Sequence, residues 1–444
     1  MLPSCRRAIS TGVFRDSSSL PTPRIISPLL YGLGWMLLGL SLSCSSVSSP
    51  STAASASGTV SSSTPTPQPL SDPASAISSP ELLSESWQVY RQRFIQPDGR
   101  VIDWESNSRT VSEGQAYAML RAVLSDDPDT FERTLQWAEN NLKRSALPSD
   151  ADGRDYLWAW KWGERPDGTW GIQDGNFASD ADIDAITALI LAARRWQRSD
   201  YSDLAQKKLD DLWAQSTITV PALEASQTRR YLLPGPLAAF QLRPGQVYVN
   251  PSYLAPYAFR LFAAVETDPD RDWMSLVDSS YDILQQTQKL SVKGLPADWV
   301  VLDLAKSTLL AAPAGETLQS RYGFDAYRVW WRVAWDAVWF ADVRAQQFLS
   351  SHLSYLRDLW QTQGQIPAVM DLSGQPLTPY EATAQYAMLY PAFQQFDPAI
   401  AQALYQQKLL PSYQDGIWDG DEAYYVQNLA WFGLFPAADL QDLF

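Results

Sequence analysis

Three carboxylates fall within the five residues Asp180 to Asp184, in the stretch Phe177-Ala178-Ser179-Asp180-Ala181-Asp182-Ile183-Asp184. Clustered acids repel one another, so bringing them together is costly unless something binds to them or titrates among them. Two further carboxylates stand out. Glu113 lies in Thr110-Val111-Ser112-Glu113-Gly114-Gln115-Ala116-Tyr117, and Asp325 lies in Tyr322-Gly323-Phe324-Asp325-Ala326-Tyr327-Arg328-Val329-Trp330-Trp331-Arg332. A carboxyl group at a helix start between apolar neighbours has a raised pKa when desolvated, which is what a general acid needs. Gly114, directly after that acid, lets a ligand or another chain segment come close. Each site also has a plain structural reading. Ser179 with Asp182, and Thr110 with Glu113, have the spacing of a capping box. Asp325 and Arg328 are three apart, as in an ordinary ion pair on a helix face. The density of Trp and Tyr around them favours a sugar groove instead.

Composition narrows the chemistry. The chain has 444 residues, enough for a full hydrophobic core, and a formal net charge of -15. That charge makes nucleic acid or an anionic membrane surface an unsuitable partner. The single histidine, His352, lies in a polar helical segment and is expected at the surface, so a His-based triad or His-rich metal site is excluded. Both cysteines, Cys5 and Cys44, precede the folded region, which leaves that region without disulfide or thiol nucleophile. An enzyme of this composition must run its chemistry on carboxylates, with Arg, Tyr and Trp in support, and no metal or cofactor is expected. With 19 Trp and 20 Tyr, the chain is rich in flat aromatic faces suited to stacking on sugars, although many of them must be core.

What positions these residues is a run of helical patterns. Residues 1–44 carry early arginines and then an apolar stretch from Ile25 to Leu42, the pattern of an export signal. Pro28 shortens that stretch, which argues against a full membrane span. Leu40-Ser41-Leu42-Ser43-Cys44 looks like a lipoprotein cleavage site, with a cleaved signal or an uncleaved anchor as the alternatives. Export to the periplasm, the membrane surface or the medium is therefore expected, with membrane contact only through such a lipid or anchor. Residues 45–80, rich in Ser, Thr, Ala and Pro, read as a linker without a core. From 81 to 444 about twelve helices follow in consecutive pairs, among them Ser112–Leu124, Asp129 to Leu142, Asp182–Gln197, Pro251–Glu266, Asp325–Val343 and Gln346–Gln361. The best strand signals are Arg229–Leu233 and Gln246–Asn250. One helical domain of paired helices predicts an all-α toroid. The loop from Asp152 to Gly163, with Trp158, Trp160 and Trp162, has the composition of a functional connection.

The stretch from about Pro80 to Phe435 resembles glycoside hydrolase family 8. Its most specific part is Ala178-Ser179-Asp180-Ala181-Asp182, then Ala188-Leu189-Ile190, Ala192 and Trp196; Ala185-Ile186 departs from the family's usual pair on the buried side of the helix. Ser112-Glu113-Gly114-Gln115 looks like the segment bearing the proton donor, and Phe324 to Arg328 like the one bearing the general base. Asn250 to Pro256, Gly294 to Trp299 and Tyr424 to Leu429 resemble further segments. The resemblance implies an (α/α)6 barrel and inverting hydrolysis of β-1,4 glycans. It implies Glu113 as acid, Asp325 as base held ionised by Arg328, and Asp180 as a sugar ligand at the cleavage subsite, with Asp336 a rival for the base. Trp158, Trp160, Tyr253, Tyr424, Tyr425 and Arg328 are the expected substrate contacts. A monomeric endo-1,4-β-glucanase acting on a β-1,4-linked polysaccharide is the leading expectation. A xylanase, mixed-linkage glucanase or chitosanase of the same fold, or a non-catalytic glycan-binding lipoprotein, are the alternatives.

Overall fold

The computed structural model describes residues 79–144, 155–221, 228–420 and 423–443. The expected signal, the lipidation site Cys44 and nearly all of the linker lie outside these residues, as do positions 152–154 of the Trp-rich loop. The first helices are α1 (Ser79–Phe94), α2 (Ser112–Leu124) and α3 (Pro128–Asn141). Next come α4 (Ser179–Trp196) and α5 (Ser199–Ser216). A single turn, α6 (Leu237–Phe240), precedes α7 (Pro256–Val265) and α8 (Trp273–Leu290). They are followed by α9 (Tyr327–Phe340), α10 (Val343–His352), α11 (Ser354–Gln363), α12 (Thr383–Phe396), α13 (Pro398–Leu404) and α14 (Tyr424–Leu434).

Their packing closes a ring. Helix α2 packs on α4, α4 on α7, α7 on α9, α9 on α12, α12 on α14, and α14 back on α2. Each of these six inner helices has an outer partner: α3 on α2, α5 on α4, α8 on α7, α10 on α9, α13 on α12 and α1 on α14. The architecture is an (α/α)6 barrel. Sequence decides which helix goes where. In α4 the whole run from Ser179 to Ala192 is buried, as suits a helix enclosed on all sides. In α3 only Thr130, Phe131, Thr134, Leu135, Trp137 and Ala138 are buried, a stripe at helical spacing that faces the inner layer. Many of the tryptophans are core, as anticipated. Trp331 of α9 stacks on Phe432 of α14 with ring centroids 5.0 Å apart; such a pair adds about 0.5–1.5 kcal/mol beyond its burial.

Several boundaries move. The expected Pro251–Glu266 helix is a 3-10 turn at Pro251–Tyr253, capped by Asn250, followed by α7. Ala255 precedes Pro256 and is kept out of the helical region (φ -120, ψ 77), so the helix restarts at the proline. Gln346–Gln361 is divided into α10 and α11 at Leu353. Strands appear at both expected places, Thr228–Leu232 and Gln246–Val249. His352 is not at the surface. It is 2% exposed, stacks on Phe348 at 3.9 Å, and burial lowers its pKa to about 4, so it packs as a neutral ring.

One small antiparallel sheet matters for the site. Strands β1 (Thr110–Val111), β2 (Lys161–Glu164) and β3 (Trp170–Asp174) are joined so that Thr110 faces Trp162 and Val111 faces Lys161. The backbone N–H of Ser112 then donates to the Trp160 carbonyl at 3.0 Å. The sheet therefore fixes the direction in which α2 begins, one residue before Glu113.

Candidate active site

Arg328 stands at the centre, in the first turn of α9, with its side chain 2% exposed. Its Nη1 donates to Glu113 Oε2 at 2.6 Å, to Asp180 Oδ2 at 2.8 Å and to the Tyr117 hydroxyl at 3.2 Å. Its Nη2 donates to Asp325 Oδ1 at 2.9 Å and to Ser252 Oγ at 3.0 Å. One guanidinium thus joins three carboxylates, using the fork geometry that only arginine offers. Glu113 is in the first turn of α2, Asp180 in that of α4 and Tyr424 in that of α14. The N-termini of four inner helices converge here, and their partial positive charge favours gathering acids at this end of the barrel.

The carboxylates differ in environment. Glu113 keeps 19% of its side chain exposed, and its Oε1 accepts from the Tyr424 hydroxyl at 2.9 Å. Burial, with the Asp180 and Asp325 charges adding to it, pushes its pKa up to about 7, while Arg328 and Tyr424 oppose the shift. Asp180 is buried and its pKa is raised, again chiefly by burial. Its Oδ1 has no hydrogen-bond partner within the protein. Asp325 is 25% exposed; its second oxygen, Oδ2, accepts from the Trp299 indole N–H at 3.1 Å. The Tyr425 hydroxyl holds the same turn by donating to the Phe324 carbonyl at 2.7 Å. A partly protonated acid and an accessible, arginine-bound carboxylate therefore lie on opposite sides of one guanidinium. Among the described residues, no group of three or more His, Cys, Asp or Glu side chains is placed to hold a metal ion.

The family model for glycosyl hydrolases family 8 matches residues 69–437. The chain belongs to glycosyl hydrolase family 8. An endoglucanase of Salmonella typhi is 32% identical over 246 residues, covering 55% of this chain and 60% of that protein. One of Pseudomonas fluorescens is 35% identical, covering 48% of this chain and 50% of that protein. The alignments thus span about half to three fifths of these relatives. Among solved structures, an endo-1,4-D-glucanase from Vibrio fischeri superposes with a TM-score of 0.64 at 26% identity, covering 79% of this chain and 93% of that one.

In this family 8 chain Glu113, Asp180, Asp325, Arg328, Tyr424 and Tyr425 lie in one bonded cluster. Tyr253 joins them, buried under the Arg328 guanidinium at 5.3 Å and edge-on to Trp299. Trp160 is half-buried beside β2. Trp158 is a correction. It is fully buried, its indole donates to Glu139 and Lys208 lies over its ring, so it presents no face to a sugar. Neither capping box forms: Val111 and Ala178 are the caps, without side-chain bonds. Thr110 Oγ1 donates to the Val101 carbonyl, and Ser179 Oγ to that of Leu233. The neighbours close to Gly114 are the Tyr424 ring and Val101, both at ordinary contact distance. Asp336 is buried between Arg260 and Tyr281, away from this cluster.

The three acids of α4 part company. Asp180 reaches Arg328; Asp184, one turn on, reaches Arg332; Asp182 points elsewhere and accepts from the Trp158 backbone N–H at 3.2 Å. Sequence reasoning missed Tyr117, Ser252, Asp298 and Trp299. Tyr117 is four residues after Glu113 and so shares its helix face, a signal that was available. Nothing local marked Ser252 as a partner of Arg328, Trp299 as a partner of Asp325, or Asp298 as a partner of the Ala326 N–H.

Proposed function

We propose that this chain is an inverting endo-1,4-β-glucanase, with Glu113 as general acid and Asp325 as general base. The observation that carries the reading is the Arg328 bridge. Because both carboxylates bond to one guanidinium, through different nitrogens, the bonded oxygens are at most about 8 Å apart, a limit that falls inside the inverting range. An inverting hydrolase needs its carboxyls about 6.5–9.5 Å apart, with water between base and sugar. Glu113, protonated up to near neutral pH, gives its proton to the leaving glycosidic oxygen. Asp325, bonded to Arg328 and to the Trp299 indole, takes a proton from the attacking water. Asp180, through its unpartnered Oδ1, accepts a hydrogen bond from a hydroxyl of the sugar being cleaved. As the glycosidic bond breaks, Glu113 becomes an anion, and Arg328 and Tyr424 already point at the oxygens where that charge appears.

The relatives named endoglucanase support a β-1,4-glucan as substrate. The early arginines and the apolar stretch before Cys44 support action outside the cytoplasm. The deciding experiment is a product assay on cellulose, xylan, lichenan and chitosan, with the anomeric configuration of fresh product read by NMR. Initial release of the α-anomer from a cello-oligosaccharide is expected. Initial β-anomer, or cleavage of xylan or chitosan in preference to glucan, contradicts the reading.

A further inference from the structure

Asp298 is a buried acid that the reaction as described does not use. It is 5% exposed and lies just before the strand Val300–Asp303. Its Oδ1 accepts from the backbone N–H of Ala326 at 2.9 Å, and its Oδ2 from Arg321 Nε at 3.2 Å. Its own backbone N–H donates to the Arg321 carbonyl at 2.7 Å. The turn Gly323–Ala326 therefore wraps around this carboxyl group. Gly323 makes that possible, since a Cβ there would sit 2.7 Å from Asp298 Oδ2. The next residue, Trp299, donates its indole N–H to Asp325 itself. Two consecutive side chains thus grip one turn, Asp298 by its backbone and Trp299 by its carboxylate.

The placement is electrostatically unfavourable. Burial first, and then the nearby Asp325 charge, push the Asp298 pKa up to about 7, with the Ala326 N–H and Arg321 opposing; Tyr322, Tyr327 and Tyr425 are near enough to feel its charge. An acid kept beside another acid at such a cost calls for a positional reason. We infer that Asp298 is a positioning residue for Asp325: by accepting from the Ala326 N–H it fixes the turn that aims the base at its water. This rests on the assignment of Asp325 as base.

The test compares Asp298→Ala, Asp298→Asn and Gly323→Ala, with Glu113→Gln and Asp325→Asn as controls. Substrates are cellohexaose and a 2,4-dinitrophenyl cello-oligoside, whose leaving group needs no proton. Asp298→Ala should lower kcat about 30- to 100-fold, since a misplacement near 1 Å costs that much, while KM and oligosaccharide Kd stay within about threefold. The loss should persist on the dinitrophenyl substrate, where that of Glu113→Gln is relieved, because water still needs its base. Asn can still offer an oxygen to Ala326 and should recover most of the loss. Gly323→Ala, which pushes the carboxyl group aside, should reproduce the kcat loss in an otherwise intact protein, so the question stays open to test even where Asp298→Ala fails to fold. Near wild-type kcat in Gly323→Ala and Asp298→Ala, or a loss confined to KM, overturns the inference while an inactive Asp325→Asn leaves the base assignment standing. An active Asp325→Asn overturns both.

Discussion

Asp184 and Arg332 form a fully buried ion pair, with Nη2 of Arg332 2.7 Å from Asp184 Oδ2 and Nη1 on the other oxygen. The pair repeats, one helical turn deeper, the contact between Asp180 and Arg328. Asp180 and Asp184 are four apart on α4, as Arg328 and Arg332 are on α9, so the two helices meet through two ionic rungs of equal pitch. These helices pack on opposite sides of α7 in the ring. Upper and lower rungs differ in their surroundings. Above, Arg328 serves three acids near solvent; below, Arg332 has Asp184 and the Tyr257 hydroxyl at 2.5 Å, sealed from water.

The lower rung should govern stability. Asp184→Ala leaves a buried guanidinium without its carboxylate, and breaking such a pair costs about 3–5 kcal/mol. Urea unfolding should show that loss. The double variant Asp184→Leu with Arg332→Met removes both charges and should recover much of it. A single variant within about 1 kcal/mol of wild type contradicts the account.

The upper rung should govern chemistry. Glu113→Gln should reduce kcat on carboxymethylcellulose by at least about a thousandfold, with fold and oligosaccharide binding intact. Asp325→Asn should do the same. Asp336→Asn touches only the Arg260 and Tyr281 contacts, so it should lower stability by a few kcal/mol and leave kcat per folded molecule nearly unchanged. An inactive Asp336→Asn beside an active Asp325→Asn would relocate the base.

The alkaline side of the pH profile should follow Glu113. The acid works only when protonated, so kcat/KM should fall as pH rises through about 7. Tyr424 stabilises the ionised form through its hydroxyl. Removing it in Tyr424→Phe raises the Glu113 pKa further, and the alkaline limb should move to higher pH. A limb that stays in place, or moves to lower pH, shows that another group sets it.

How far the sequence revealed this site depended on the range of each interaction. The helix count and inner burial were legible because apolar periodicity is local, and α4 and α9 carry it strongly. Glu113, Asp180 and Asp325 stood out because acids beside aromatic or small apolar runs are unusual. Arg328 was legible only as a neighbour of Asp325, three residues away. Its bonds to Glu113 and Asp180 span 215 and 148 residues and depend on ring closure, which no local pattern encodes. Trp158 misled for the converse reason. A Trp in a polar loop suggested a sugar platform, but Glu139 and Lys208, brought by α3 and α5, give its indole a buried place instead. His352 was misjudged likewise, since its segment is polar while its own face turns inward on Phe348.

Asp182 offers a test of stability against pH. One of its oxygens accepts from the Trp158 N–H, and the other has no partner within the protein. Burial raises its pKa to about 7, with Lys208 and the Trp158 bond opposing the shift. In the unfolded chain the group titrates near its ordinary value, about 3.9. The folded state thus holds this proton more tightly, which adds stability below about pH 4 that is lost as pH rises through about 7. Asp182→Asn keeps an acceptor for Trp158 and removes the titration, and Lys208 retains its ion pair with Glu139 at 2.9 Å. Unfolding free energies of the two proteins should therefore diverge between pH 4.5 and 8, the variant gaining about 2–4 kcal/mol relative to wild type. Urea titrations at both ends of that range measure it. A gap that does not change with pH would mean that Asp182 stays ionised in the fold, with Lys208 outweighing its burial.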